Sequence, residues 1–570
     1  MNAGKTISTH RDPMHHFLRL AVSVILATVI YSEIHAAGPL RKTTIGVTRS
    51  GTSIVGWAND DYFDLDFQGQ RILIVGGVYD ASSAVQVKQL SENMKSTDTR
   101  SVAFVPDLYP DADQGRAINE ADLSSFYNAS NNPESQYLVG WAAYHITDCV
   151  VLLRLSDDES VVANDTFVKH FGRNLLKTDI QISAEPLQYC NAMAQASAKY
   201  GIGLDVMQLS NKLSASRIQM WIDSISQATK KSSARLDFQK RSSDLGSVID
   251  QLLAVYGRSM KNISYIPALA IMAQYQHRQI GNERSLTNAE LKKIIEPHLQ
   301  GPLPKNGSAI AGHLALFTAM HATPLEREFQ RDCKQRILDV ADLFFSEQSQ
   351  YRGHAMMPFH SEMSDAVFMG GPILAIADSL ARQDDGPKYA QAAISHLQAC
   401  ALMNQLDNGL YQHSPLDPTA WGRGNGFAAL GASMCLSLLS PEVAGYEQVK
   451  QQFIRQINEL VKHQDATGSW HQVVDHPESY PEFTSTCMIA SAILLGIKSG
   501  VLQRDDYRHV IVQAKSATIR RIAPNGFIND VCTGTGKQKN LRAYLNREAV
   551  QGRNDRAGAM ALLFLTLLNQ

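Results

Sequence analysis

Cysteine is sparse in this chain, with seven residues among 570: Cys149, Cys190, Cys333, Cys400, Cys435, Cys487 and Cys532. No two of them form a CxxC pair, which removes the usual zinc and redox motifs, and the odd count leaves at least one thiol outside any intrachain disulfide. Buried free thiols are the expected state. Long apolar runs are also missing. The longest near the N-terminus, Leu20 to Tyr31, falls short of the ~20 residues that a membrane span needs. No extended basic block exists, and 53 Lys and Arg against 55 Asp and Glu give a net charge of −2. Nucleic acid is therefore not an expected partner, because phosphate binding needs a concentrated cationic face. Gly76-Gly77 follows a strand-like run but lacks GxGxxG spacing, so a dinucleotide loop is not supported. His413, His471 and His476 show no HxxxH spacing, so a metal is not expected.

Hydrophobic residues make up 44% and charged residues 19%, an ordinary globular composition. The length exceeds the ~250–300 residues at which one core stops growing, so more than one domain is expected. Arg11, His15, His16 and Arg19 precede the apolar run, and Ser32-Glu33-Ile34-His35-Ala36-Ala37 closes it with small residues. Residues 1–37 read as a signal peptide for a secreted or periplasmic protein, with an uncleaved anchor as the alternative.

Two halves follow with different rhythms. Residues 40–228 are expected to form a smaller α/β domain. Arg71 to Val75, Ser101 to Val105 and Cys149 to Leu153 are β-branched runs that read as buried strands, with a helix from Glu134 to His145 among the stretches between them. Strands alternating with helices suggest a mainly parallel sheet. Gly76-Gly77-Val78-Tyr79-Asp80-Ala81-Ser82, Pro106 to Asp111 and Arg154 resemble the motif positions of zinc carboxypeptidase-like domains. Tyr79, Ser82 and Arg154 do not rebuild that metal site, so the resemblance implies a degenerate, metal-free relative. The polar segment 229–246 reads as a linker.

From 247 to 570 apolar residues recur at helical spacing in eleven segments, with a weaker twelfth around 289–295. Glycines at 353, 409, 468 and 526 follow helices at spacings of 56, 59 and 58 residues. One helical pair copied several times is implied. Twelve helices can close into an all-α (α/α)6 six-hairpin barrel whose loops meet at one mouth. The alternative is an open helical solenoid that binds a partner.

Four loops concentrate unusual side chains. Asp365 stands at a helix start, where its plain reading is an N-cap. His413 lies in the next loop, ahead of Trp421-Gly422-Arg423-Gly424-Asn425-Gly426-Phe427. Alternating glycines there let backbone approach a ligand, while Trp, Arg and Asn supply a plane, a charged fork and an amide. A third loop holds Trp470, His471 and Gln472, and a fourth runs from Asp530 to Gly536. Aromatic planes, polar groups and a carboxylate describe an oligosaccharide site.

Asp365-Ala-Val-Phe-Met-Gly-Gly-Pro, Trp421-Gly-Arg-Gly-Asn-Gly and Trp470-His-Gln-Val, in that order, resemble the unsaturated rhamnogalacturonyl and glucuronyl hydrolases of glycoside hydrolase families 88 and 105, over roughly residues 245–570. The resemblance implies an (α/α)6 barrel, no cofactor, and release of a Δ4,5-unsaturated uronic acid from lyase-cut pectin. Asp365 matches the family's catalytic aspartate, which hydrates the C4=C5 bond as acid and then as base. That double duty calls for a raised pKa, which desolvation in an aromatic-lined pocket could supply. His413, Trp421, Arg423 and Asn425 match substrate-contacting positions, with Phe427, Trp470 and Gln472 as further candidates. Phe427 stands where the family often has Trp, and Asn306 falls where related enzymes tend to place a second Asp. Two other readings stay open: a conventional inverting glycosidase using Asp417, Asp475 or Asp530 as partner, and an inactive glycan-binding protein.

Overall fold

The computed structural model describes residues 39–569, apart from 65, 79–80, 95, 112–132, 176–181, 184–202, 229–230, 323–325 and 386–387. The expected signal segment, Tyr79 and Cys190 lie outside the described residues. An eight-stranded sheet has the order β1-β2-β4-β3-β5-β8-β6-β7. Its strands are β1 (Arg41–Val47), β2 (Ser53–Ala58), β3 (Gln70–Val75), β4 (Arg100–Val105), β5 (Cys149–Arg154), β6 (Val161–Ala163), β7 (Ile182–Ser183) and β8 (Val206–Ser210). The centre, β4-β3-β5-β8, is parallel. Antiparallel pairs join β1 to β2, β2 to β4 and β6 to β8. Strand β3 is buried along its whole length because both faces are covered. Alternation sends Ile72 and Ile74 into one core and Leu73 and Val75 into another. Helices α1 (Ala81–Asn93), α3 (Asp165–Leu175) and α4 (Ala215–Ser226) cover the first face. Helix α2 (Pro133–Tyr144) covers the second together with loops from the other half of the chain.

The polar segment expected as a linker carries helix α5 (Ser233–Ser243). Ser232 caps it by accepting the Arg235 N–H, and Arg235 forms a buried ion pair with Asp148. Ser232 donates to the same carboxylate at 2.6 Å. A serine-rich stretch reads as flexible until such a buried partner, remote in sequence, is known.

Beyond it lie α6 (Leu245–Val255), α7 (Tyr265–Gln279), α8 (Asn288–Ile295), α9 (Gly307–Gly312), α10 (Leu314–His321), α11 (Arg327–Ala341), α12 (Ala366–Asp385), α13 (Lys388–Asn404), α14 (Gly422–Leu438), α15 (Tyr446–Lys462), α16 (Phe483–Lys498), α17 (Arg504–Arg521), α18 (Leu541–Leu545) and α19 (Asp555–Leu568). The weak twelfth segment is a real helix, α8, because Thr287 and Glu290 form a capping box. Helix α11 opens on a largely polar stretch. Only Phe329, Cys333 and Ile337 mark its buried stripe among the polar residues of its first turns. Helices α7, α9, α12, α14, α16 and α19 pack each on the next, and α19 also packs on α7. Helices α6, α11, α13, α15 and α17 each pack on members of that series. No helix among the described residues is long and apolar enough to cross a membrane.

The periodic glycines have a structural cause. Gly353, Gly409, Gly468 and Gly526 all have positive φ, between 77° and 102°. A Cβ at Gly468 would fall 2.2 Å from the Gln513 carbonyl oxygen, and one at Gly409 would fall 2.9 Å from that of Arg455. The turns at Gly409 and Gly468 are pinned the same way. The Gln405 side-chain amide donates to the Gly409 and Gln452 carbonyls, and that of Gln464 to the Gly468 and Val510 carbonyls.

Candidate active site

The turn before α12 is held in an uncommon backbone state. Phe359, Ser361 and Glu362 have φ of 62°, 52° and 56°, a left-handed conformation that costs ~1–3 kcal/mol per non-glycine residue and tends to cluster at functional sites. Asp365 follows. Its backbone carbonyl accepts from Phe368 and Met369, but its carboxylate caps no helix N–H among the described residues. The N-cap reading therefore does not explain this aspartate. Its side chain is 14% exposed, and Oδ2 stands 3.4 Å from His413 Nε2. Neither atom completes a hydrogen bond, so the two face each other at a distance a ligand could close.

His413 is fully buried, and its loop is fastened to that turn by the Ser364 N–H donating to its carbonyl at 2.9 Å. Its Nδ1 lies 2.8 Å from the Tyr544 hydroxyl, and its ring centroid is 4.3 Å from that of Trp421. The Arg423 guanidinium sits 4.8 Å from the Trp421 ring and donates to the Cys532 and Thr533 carbonyls at 2.7 and 2.5 Å. Burial opposes its charge, but Cys532, Glu482, Tyr265 and Asp365 outweigh that and hold its pKa above the usual arginine value. Gly424 lets the first turn of α14 press in. A Cβ there would lie 2.6 Å from Ser364 Oγ and 3.1 Å from the Trp421 ring.

Five buried polar atoms around this point have no hydrogen-bond partner: Ser364 Oγ, Asp365 Oδ2, His413 Nε2, Trp421 Nε1 and Gln472 Oε1. Native proteins leave few such groups, and a cluster of them is explained when a polar ligand completes the set. Asp365, His413, Trp421 and Arg423 thus come together, with Gln472 alongside through its 3.5 Å contact to the Tyr544 carbonyl.

Three residues expected at the substrate belong to the scaffold. The Asn425 amide is spent on the backbone of Tyr411, in both directions, and on the Trp421 carbonyl. Phe427 is buried against Tyr265 and Phe368. Trp470 is fully buried and donates its indole N–H to the Leu460 carbonyl at 2.6 Å. Trp421 itself is 1% exposed, so its ring is covered by protein and offers no open stacking platform; its unpartnered N–H is what it presents. Asn306 caps α9 by accepting the Ala309 N–H at 2.8 Å.

Sequence reasoning missed Tyr544 and Glu482. Glu482 is buried and accepts from the Cys532, Thr484 and Ser485 N–H groups, tying the start of α16 to the fourth loop. Tyr544 stands 131 positions from His413 in an unremarkable helix, α18. The sheet half was missed as well. Trp421, Val473, Tyr480, Cys532 and Tyr544 share one core with Ile45, Val47 and Tyr137, so the loops around Asp365 are roofed by the sheet.

A profile of Glycosyl Hydrolase Family 88 matches residues 270–569. The chain is 27% identical over 267 residues to the unsaturated rhamnogalacturonyl hydrolase YesR of Bacillus subtilis (strain 168), covering 45% of this chain and 75% of that protein. Among solved structures, a possible member of the GH105 family from Klebsiella pneumoniae subsp. pneumoniae MGH 78578 superposes with a TM-score of 0.48 at 20% identity, over 58% of this chain and 93% of that one. The unsaturated glucuronyl hydrolase of Bacillus sp. GL1 gives 0.40 at 13% identity, over 58% and 97%.

Proposed function

The chain belongs to Glycosyl Hydrolase Family 88 and is a glycoside hydrolase, and on that premise we propose that it removes a Δ4,5-unsaturated uronic acid from lyase-cut pectin oligosaccharides. One observation carries this reading: a buried carboxylate oxygen of Asp365 without a hydrogen-bond partner, facing His413 beside the Trp421–Arg423 pair. In the proposed reaction Asp365 gives its proton to C4, and positive charge develops at C5 and the ring oxygen. The resulting carboxylate takes a proton from the water that adds at C5. The hemiketal then opens and the remaining sugar leaves. General acid–base catalysis of this kind contributes ~10²–10⁴-fold. In this reading the charge of Arg423 attracts the uronate.

A conventional inverting mechanism needs a second carboxyl ~6.5–9.5 Å from the first. Two of the three candidates are otherwise engaged and the third faces solvent. Asp530 pairs with Arg521 and Gln551, Asp417 accepts from the Thr419 N–H at 3.1 Å, and Asp475 is exposed.

We further infer that the ring of helices is an (α/α)6 barrel, with α8 and α11 as outer members of its early hairpins, and that residues 1–37 direct export. The division at 229–246 and a degenerate carboxypeptidase-like ancestry for the sheet belong to the same reading. The test is a panel of lyase-cut pectin, alginate and glycosaminoglycan disaccharides, following the ultraviolet absorbance of the conjugated double bond. Loss of absorbance with the pectin product is expected. Sugar release with absorbance unchanged would reject the hydration chemistry.

A further inference from the structure

Tyr544 has no part in the reaction as derived so far, yet it is buried within reach of it. Its hydroxyl lies 2.8 Å from His413 Nδ1 and accepts the Gln538 N–H at 3.2 Å. Burial pushes its pKa above the usual tyrosine value, so it keeps its proton across the working range. With that proton donated to His413 Nδ1, the ring nitrogen is the acceptor of the pair. A neutral imidazole so held carries its own proton on Nε2, the atom that faces Asp365 Oδ2 at 3.4 Å. Every donor in the series, from Gln538 through Tyr544 and His413, is aimed at the carboxylate.

The far end of the series is anchored in the sheet domain. Helix α18 is the short turn that carries Tyr544. Arg542 of that turn donates Nε and Nη2 to the Arg49 carbonyl, at 3.0 and 2.7 Å, and Arg49 returns a bond to the Asn546 carbonyl at 3.0 Å. Arg49 lies just past the end of β1, in its connection to β2. The Tyr544 ring packs in the core shared with Ile45, Val47 and Tyr137.

We propose that Tyr544 is a positioning residue that fixes the His413 tautomer toward Asp365, and that the sheet domain serves this glycosidase by holding α18, and so Tyr544, in place. The inference rests on the assignment of Asp365 as the proton carrier. When Asp365 has given up its proton, the His413 Nε2–H supports the carboxylate left behind. The other charged groups near this line are Arg423, which feels Asp365, and Asp417, which lies near Tyr544 together with the neutral Ser414 hydroxyl.

The experiment uses the full-length chain and an unsaturated uronyl disaccharide, with kcat and KM measured across pH. Tyr544→Phe keeps the ring and its packing. It is expected to lower kcat about tenfold, the worth of one well-placed hydrogen bond, to leave KM within about twofold, and to move the alkaline limb of the kcat profile up by about half a pH unit. Arg542→Ala should shift the same limb in the same direction by less, with kcat down about threefold. Nitrogen chemical shifts of ¹⁵N-labelled histidine, with His413 assigned through His413→Gln, read the tautomer without any need for turnover. The Nε2–H form should dominate in the wild type and lose that dominance in Tyr544→Phe. A Tyr544→Phe profile that superposes on the wild type overturns the proposal, as does an Nδ1–H wild-type imidazole. A wild type that leaves the double bond intact but shows the tautomer shift would sink the assigned reaction and spare the positioning role.

Discussion

The carboxyl edge of the parallel strands and the mouth of the helical half are built from similar residue types but are opposite in one respect. Among the described residues of the sheet edge, Ser82, Ser83, Arg154, Gln208 and Asn211 have protein partners, and Gln86 Oε1 alone of its neighbours is left unpaired. Asn211 donates to Ser82 at 2.7 Å and to the Arg154 carbonyl, the Gln208 amide oxygen turns to Arg154, and Ser83 accepts the Gly77 N–H. Around Asp365 five buried polar atoms stay unpaired, and the turn leading to it carries three strained residues. A self-satisfied edge has little left for a ligand, whereas a mouth with unspent hydrogen bonds is completed by one. The contrast also separates neighbours within a single motif. Trp421 keeps a free N–H, while Asn425, four residues on, has none to give.

The most severe way to break the contrast is at the two carboxyl-bearing and polar centres themselves. Asp365→Asn should cut turnover by about 10³-fold, within the range of general acid–base loss, while Ser82→Ala and Arg154→Ala leave steady-state kinetics unchanged. Comparable losses at both places would erase the distinction.

Acid should be felt beneath the mouth. His396 lies under Ala366, donating Nε2–H to its carbonyl at 2.8 Å. Burial depresses its pKa to about 4, as it does that of His313. An unfolded chain binds protons at these histidines from about pH 6.5 downward, so the native state is at full stability above that pH. Stability should fall between about pH 6.5 and 4 and level off below, by up to about 3 kcal/mol per histidine. Denaturant midpoints across that range, compared with a His396→Gln variant of reduced slope, measure it. A flat profile would contradict the burial of neutral imidazoles.

Asn425→Ala sharpens the split inside the motif. It strands the Tyr411 N–H and carbonyl in a buried site, for a loss of about 2 kcal/mol. A lowered melting temperature with KM unchanged is expected; a KM effect at full stability would return Asn425 to the substrate. The smallest effect is assigned to Gly424→Ala, whose methyl would intrude on Ser364 Oγ at 2.6 Å. Turnover should drop about tenfold with little change in melting temperature.

Much of this was legible from local pattern. Helical periodicity located the C-terminal helices, and the glycine spacing marked turns of positive φ, at two of which, Gly409 and Gly468, a side chain would strike the next helix. Asp365, His413, Trp421 and Arg423 could be named because they stand in short motifs. What was not legible depends on partners distant in the chain. Trp470 reads as a ligand platform until Leu460 is seen to accept its N–H, and α5 reads as a linker until Arg235 meets Asp148. Tyr544 and the roofing of the mouth by β1 and α2 leave no local trace, since the first meets His413 across 131 positions and the second arises from packing one half of the chain on the other.

The central claim is that Asp365 protonates C4 of an unsaturated uronate. Turnover in D₂O, with the product read by NMR and mass spectrometry, addresses it directly. The account predicts one solvent-derived deuterium at C4 and one double bond consumed for each sugar released. Release of sugar from a product that keeps its C4=C5 bond would contradict it.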